Sequence, residues 1–232
     1  MAQAAAVEIA SRDRILDAAE GLFARCGFAG IGLREVAEVA GLGKSSLFHH
    51  FRSKAELYAA VVGRILDLFD SRLTRALAAG GDPAARFDRW LDALIDTFAE
   101  HPTSARLLLR SLFEDDDLTG ASEEEQHADR TLKRMLADLG ALLREGMEAG
   151  RFRLANIPHT VQSLVGMTVF HFASGELGEE LVGQPLFSAT EVRRRKNEVK
   201  ALLHCGLFTG VPAVKTLGRL KRDHRIQEQN DE

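Results

Sequence analysis

Cysteine, proline and tyrosine are scarce in this chain, whose 232 residues include two cysteines, five prolines and one tyrosine. Cys26 and Cys205 lie far apart and form no C-x-x-C pair. This spacing favours neither a disulfide framework nor a zinc site, because both need clustered or paired cysteines. We therefore expect a protein of the reducing cytoplasm.

We also expect no secretory signal, because the first residues contain no basic region followed by an apolar stretch. Residues 154–174 form an uncharged run long enough to cross a bilayer, but polar residues and a proline interrupt it. The interrupting residues are Asn156, Pro158, His159, Gln162, Ser163 and His171. We expect a buried interface helix in this run and no contact with a membrane.

Motifs of catalysis and cofactor binding are absent as well: the sequence has no nucleophile elbow, glycine-rich phosphate loop or zinc-protease motif. No two of the eight histidines stand at a ligand spacing supported by acids or cysteines, and His49 and His50 point to different sides of a helix. We expect no enzymatic activity, no cofactor and no metal. Because the net charge is −4, any contact with nucleic acid must come from a local group of basic residues.

The sequence does contain helical periodicity, with no alternating strand pattern. Apolar residues recur at helical spacing in two N-terminal segments, at Ile15, Ala18, Ala19, Leu22 and Phe23 and then at Leu33, Val36, Ala37 and Ala40. After the break at Gly41-Leu42-Gly43, a third helix begins at Lys44, with Leu47 and Phe51 on its inner face. Three short helices with a glycine-bearing turn between the last two are typical of a helix-turn-helix.

Longer helices are predicted beyond residue 53. Three serines stand at capping-box spacing, three residues before a glutamate, which favours a helix start at Ser53, Ser122 and Ser188. The last of these follows a glycine-rich stretch that we read as a loop. We expect an all-α protein of about nine helices. Residues 1–52 form the helix-turn-helix domain, residues 53–210 a helical ligand-binding and dimerisation domain, and residues 211–232 a charged tail.

The candidate DNA-binding residues lie on and beside the third helix. An α-helix fits the major groove, where its first side chains reach base edges and its flanks meet phosphates. The predicted set is Arg34, Lys44, Ser45, Ser46, Phe48, His49, His50 and Lys54. Taken in isolation, the run 44–54 fits an ordinary solvated helix better than a reading helix.

The order of these residues resembles the N-terminal signature of the TetR (tetracycline-repressor) family. The resemblance is carried by Ile15–Phe23, Gly27-Phe28, Leu33–Ala37 and Gly41–Leu57, and it covers about residues 11–60. It implies about nine helices, a homodimer formed largely by the last two long helices, and a C-terminal pocket for a small-molecule effector. The implied function is a sequence-specific repressor that the effector releases from a palindromic double-stranded DNA operator.

Three residues depart from the family pattern. The family commonly has threonine at Gly32, serine at Gly43 and tyrosine at Phe48, and each of these supplies a hydroxyl to a helix cap or a phosphate. Glycine remains an acceptable N-cap, so we expect the helices to form. The alternative function is a dimeric helical ligand-binding scaffold that has weakened or lost its DNA reading.

Two further sets of residues are assigned within the C-terminal region. The candidate effector-pocket residues are Phe87, Trp90, Leu94, Leu112, Phe113, Met135, Met167 and His171. An ordinary core position is the competing interpretation for His171 and for the aromatic residues. The predicted dimer interface on the eighth and ninth helices consists of Val165, Val169, Phe172, Val199, Leu202 and Leu203.

Overall fold

The computed structural model describes the backbone of residues 2–111 and 122–209, with side chains from residue 8 onward. Leu112, Phe113 and the tail at 211–232 lie outside the described residues. Within the described ranges the chain is all-α, as predicted, and one isolated bridge joins Phe152 to Phe208. The helices are α1 (Ala2–Cys26), α2 (Leu33–Val39), α3 (Lys44–His50), α4 (Lys54–Ala78), α5 (Pro83–Glu100), α6 (Ser104–Ser111), α7 (Glu123–Glu148), α8 (Ile157–Ala173), α9 (Glu176–Val182) and α10 (Ala189–Gly206).

The described part of the chain thus has ten helices, one more than the sequence pattern predicts. The additional helix is α9, which forms inside the stretch that we read as a loop. Gly175 and Gly183 flank it with φ angles of 56° and 71°, while Gly178 is buried within the helix.

Helix α4 is the centre of the molecule and packs on α1, α5, α6 and α7. Its apolar residues face more than one side and include Leu57, Val61 and Phe69, all at most 1 % exposed. The same helix therefore contributes to the core beneath the N-terminal helices and to the core of the C-terminal bundle.

Helices α5 and α10 are joined by two lysine–aspartate ion pairs and one histidine–aspartate hydrogen bond, each one helical turn from the next. The pairs are Asp88 with His204, Asp92 with Lys200 and Asp96 with Lys196, at 2.7, 2.6 and 2.5 Å. Residues four apart lie on one face of a helix, so the acids of α5 line up opposite the bases of α10. This alignment holds α10 against α5.

The three predicted capping serines each accept a hydrogen bond from the backbone amide three residues later. The reciprocal bond of a capping box forms at Ser122, whose amide donates to the Glu125 carboxylate. At α4, the Glu56 carboxylate instead accepts from the Arg52 amide, at 2.6 Å. At α10, Glu191 Oε2 is buried without a hydrogen-bond partner.

Candidate DNA-reading head and effector cavity

Helices α1–α3 form a compact unit, which we call the reading head. Val36 and Ala37 of α2 and Leu47 of α3 are buried together, and Phe51 closes the same core at 1 % exposure. The turn between the two helices passes through Gly41 with a φ of 66°, which favours glycine. The Leu42 amide then donates to the Ala37 carbonyl oxygen at 2.9 Å, which fixes the angle between α2 and α3.

The outer face of α3 carries the side chains that the sequence assigns to DNA. Lys44, Ser45, Phe48 and His49 are exposed, and the nearby Ser46 and His50 are partly exposed. The Phe48 ring is 41 % exposed on this face. The arrangement leaves one helix face free to enter a groove.

Arg34 and Lys54, the two remaining candidates, have different surroundings. The Arg34 side chain is 82 % exposed beside α3 and pairs with Glu38 at 3.2 Å, a weak surface interaction that DNA can replace. Lys54 Nζ instead donates to the carbonyl oxygens of Phe28 and Ile31, at 2.9 and 3.2 Å, and lies 4.2 Å from the Phe28 ring centre. Lys54 therefore stabilises the loop between α1 and α2, and its assignment to the DNA-binding set stays a prediction.

The two glycine caps differ in how the helix amides are satisfied. Neither Gly32 nor Gly43 offers a side-chain cap, but the Gly32 amide donates to the Glu35 carboxylate at 2.7 Å. This bond holds the start of α2 without the missing hydroxyl. The start of α3 has no side-chain cap, and the amides of Ser46 and Leu47 donate to the Gly43 carbonyl oxygen.

A cavity lies inside the C-terminal bundle, among helices α4 to α8. Its volume is about 70 Å³, and every side chain that lines it is apolar or aromatic. The lining residues are Leu66, Phe69, Leu73, Trp90, Leu94, Phe98, Leu108, Leu132, Met135, Leu136, Leu139, Val165 and Val169. A cavity of about 150 Å³ holds benzene, so an effector larger than a few carbon atoms must push these helices apart.

Helix α6 contacts both the cavity and the reading head. Leu108 lines the cavity, while Thr103 Oγ1 donates to Glu20 Oε1 at 2.7 Å and Arg110 Nη1 donates to the Phe23 carbonyl oxygen at 2.9 Å. Arg64 of α4 binds the same Glu20, also at 2.7 Å. Short polar contacts therefore connect both α6 and α4 to α1.

Two family descriptions match this chain. "Bacterial regulatory proteins, tetR family" matches residues 15–61, and "Tetracyclin repressor-like, C-terminal domain" matches residues 83–202, more than half of the chain. The chain belongs to the TetR family. The predicted family and the prediction of a helix-turn-helix transcriptional regulator are confirmed.

Among curated TetR-family relatives, the HTH-type transcriptional regulator RutR of Escherichia coli K12 is 27 % identical over 164 residues, which cover 71 % of this chain and 74 % of RutR. Among solved structures, KstR2 of Mycobacterium tuberculosis, a ketosteroid transcriptional regulator, has a TM-score of 0.67 and 20 % identity, covering 85 % of this chain and 95 % of its own. FadR of Bacillus subtilis, solved with stearoyl-CoA, has a TM-score of 0.63 and 16 % identity, covering 86 % and 98 %. These structural likenesses establish the TetR fold.

The predicted pocket residues of this TetR-family chain are only partly brought together. Trp90, Leu94 and Met135 line the cavity. Phe87 does not, because it is fully buried on the far side of Trp90 and packs on Phe152. Leu66, Phe69 and Leu73 of α4 were missed, since nothing in a helical apolar stripe separates a cavity wall from ordinary core.

Helix α8 also departs from the prediction, because Met167 and His171 are not among the cavity-lining residues. Four residues assigned to the dimer interface pack within the protomer. Val169, Phe172 and Val199 are at most 9 % exposed, and Val165 lines the cavity. Leu203 is partly buried against the core. The exposed apolar residues of the C-terminal helices are instead Phe170, Leu177, Leu181 and Leu202, at 58, 64, 81 and 63 %.

Among the described residues, no helix is long and apolar enough to cross a membrane.

Proposed function

We propose that this TetR-family regulator is a homodimeric repressor that a lipophilic small molecule releases from its operator. The observation that carries the proposal is the double role of α6, which lines the cavity through Leu108 and binds the reading head through Thr103 and Arg110. An effector that enlarges the cavity displaces α6 and α4, and with them α1. The reading head then changes its position relative to that of the second protomer.

The DNA contacts in this proposal come from the exposed face of α3 and from Arg34. Lys44 is placed to bind a guanine edge or a phosphate, and the serines and histidines of α3 bind phosphates or base edges. In a two-fold dimer the two α3 helices must match half-sites about 34–36 Å apart. A shift of a few ångströms therefore weakens binding without any change in the residues that touch DNA.

The proposed dimer interface is the exposed apolar face of α8 and α10, centred on Phe170 and Leu202. Single exposed apolar residues are common, but exposed large apolar residues on two neighbouring helices indicate an interaction surface. A second copy of the chain is the occupant that fits, because a two-headed regulator reads a palindromic operator.

The effector class follows from the cavity wall. A cavity with no charged or polar side chain favours a hydrocarbon ligand, since burying a polar group there without a partner is costly. The stearoyl-CoA in the FadR structure and the ketosteroid in the name of KstR2 agree with a lipophilic ligand class.

The proposal is tested by a gel shift with the DNA directly upstream of the chain's own gene. A repressor gives a discrete complex that survives an excess of unrelated DNA, whereas a scaffold without DNA reading gives salt-sensitive binding to any sequence. A bound effector is then titrated by Trp90 fluorescence with and without operator. Ligand affinity must fall in the presence of DNA by the factor by which operator affinity falls in the presence of ligand.

A further inference from the structure

Three buried side-chain atoms in the described part of the chain have no hydrogen-bond partner: His171 Nε2, Glu191 Oε2 and Arg195 Nε. His171 is 7 % exposed and Glu191 is 3 % exposed. Buried polar atoms nearly always have a partner, because desolvating one without compensation is costly. The Arg194 guanidinium lies 3.9 Å from Glu191 Oε2, an ion-pair distance that is too long for a hydrogen bond, so this atom still has room for a small polar partner, as do the other two.

The three residues belong to one cluster between α8 and α10. Arg195 Nη2 donates to the Met167 carbonyl oxygen at 2.7 Å, which holds the guanidinium against α8 one turn before His171. Glu191 lies one turn before Arg195 on α10, and its charge opposes the lowering of the Arg195 pKa by burial. Burial and the charge of Arg195 lower the pKa of His171 to about 4, so its ring is neutral at physiological pH.

A single aromatic side chain connects this cluster to the apolar cavity. The Phe172 ring lies edge-on to His171 with centroids 4.8 Å apart, and it stacks on Phe98, a cavity-lining residue, at 5.6 Å. Val169, two residues before His171, lines the same cavity. The polar cluster therefore lies one ring behind the cavity wall.

From this geometry we infer that the cluster is the polar end of the effector site and that it binds an uncharged aliphatic hydroxyl group. The hydroxyl donates to Glu191 Oε2 and accepts from Arg195 Nε, while the neutral His171 lies beside it. Phe172 turns aside as the hydrocarbon body occupies the cavity. A carboxylate would instead place a second negative charge next to Glu191, whose own charge Arg195 already balances.

The inference rests on the proposed effector cavity and names the ligand class that the cavity takes. Its test compares three probes, 1-octanol, its isomer 1-methoxyheptane and octanoic acid, by quenching of Trp90, the one tryptophan of the sequence. The ether matches the alcohol in size but cannot donate a hydrogen bond. We expect 1-octanol to bind about tenfold tighter than either of the others, the difference made by one good hydrogen bond to a charged group.

The variant Glu191→Gln removes the charged acceptor from the cluster. We expect it to lose most of the preference for 1-octanol over 1-methoxyheptane while its affinity for the ether stays unchanged. Glu198→Gln, an exposed glutamate on the same helix, is the matched control and retains the preference. Thermal unfolding and operator binding without probe identify a variant that fails to fold; Arg195→Met, which removes the unpaired donor, then takes its place.

Equal binding of the three probes to the wild-type chain overturns the inference, and so does a failure of all three to bind. Water alone fills the cluster in that case. If the three probes bind equally well and still release the operator, the proposed function is supported although the hydroxyl site is not. If 1-octanol binds preferentially but does not release the operator, the hydroxyl site is supported and the proposed effector-dependent release is contradicted.

Discussion

Lys44 Nζ lies 5.5 Å from the centre of the Phe48 ring, one helical turn further along the exposed face of α3. A cation over an aromatic face is held weakly at an exposed site, by about 0.5–1 kcal/mol. The contact orients the lysine along the outer surface of the reading helix before DNA is bound. A phosphate or a guanine edge offers the ammonium a stronger partner, so the contact is replaced on binding.

We expect Lys44→Ala to weaken binding to the operator. Loss of a guanine contact costs about 1–3 kcal/mol and relaxes base preference at one position of each half-site. Loss of a phosphate contact lowers affinity equally for all sequences and reduces the salt slope by about one. Fluorescence anisotropy at several salt concentrations separates the two results, and an unchanged affinity and slope would remove Lys44 from the interface.

Phe48→Tyr is expected to tighten DNA binding, because it adds a hydroxyl at the exposed edge of α3 where TetR-family chains commonly have one. A hydrogen bond to a charged phosphate contributes about 1.5 kcal/mol after the cost of desolvation is included. Phe48→Leu, which stays apolar and adds no hydroxyl, is the control. Equal operator affinity of the Tyr variant and the wild type would show that α3 docks differently here.

Arg110→Met tests the path from the cavity to the reading head. The variant loses the hydrogen bond to the Phe23 carbonyl oxygen, so movement of α6 is passed to α1 less fully. We expect operator affinity without effector to stay within about fivefold, since one hydrogen bond is worth about 1 kcal/mol. The effector-induced loss of affinity, typically about 1–3 kcal/mol, should fall by about half. Arg106→Met, an exposed arginine on the same helix, should retain the full response.

A charge on the proposed dimer face should separate the protomers. Because a two-fold interface contains each residue twice, Leu202→Glu introduces two charges, and Phe170→Glu does the same from α8. Light scattering should give a monomer for both variants and a dimer for the control Leu154→Glu, whose leucine is 92 % exposed outside these helices. Dimers that persist in both variants would place the interface elsewhere.

Acidification should destabilise the chain through His171. Its folded-state pKa of about 4 lies below the model-peptide value of 6.5, so the unfolded chain binds the proton more tightly, and stability is lost as pH falls through this window. The groups facing His171 from α10 are Arg195 and, one turn away, Glu191. Between pH 7 and pH 5 the loss from this residue is about 2 kcal/mol. In urea unfolding, the free energy of unfolding of His171→Gln should fall by about 2 kcal/mol less than that of the wild type between pH 7 and pH 5. An equal fall in both chains would contradict a lowered pKa at His171.

The sequence predicts the reading head well, because its helices are defined by local signals. The stripe containing Ile15, Ala19 and Phe23 is buried as expected, and the glycine turn before Lys44 separates α2 from α3. The contact of Lys54 with the loop between α1 and α2 was not predicted. Its two carbonyl partners come from residues more than twenty positions earlier, and periodicity contains no information about such tertiary contacts.

The sequence predicts most helices of the C-terminal half, but it does not predict which helix faces line the cavity and which are exposed. Helix α8 is apolar on several sides, and the pattern alone does not tell which side meets the cavity and which is left for a partner. Val169 was assigned to the dimer and lies against the cavity, whereas Phe170, next in sequence, is exposed. Neighbouring residues on a helix point about 100° apart, so choosing the wrong face exchanges the two roles.

Arg110, Lys54 and Tyr58 each donate to main-chain oxygens in or beside the reading head: Arg110 to Phe23, Lys54 to Phe28 and Ile31, and Tyr58 to Leu107. Every amino acid supplies the same carbonyl group, so evolutionary drift at these acceptor positions leaves the bonds in place as long as the backbone keeps its path. Loss of a donor side chain has no such compensation. All four acceptor residues have buried side chains, so a substitution there acts through core packing and leaves the acceptor in place, whereas a substitution at Arg110 removes the bond itself.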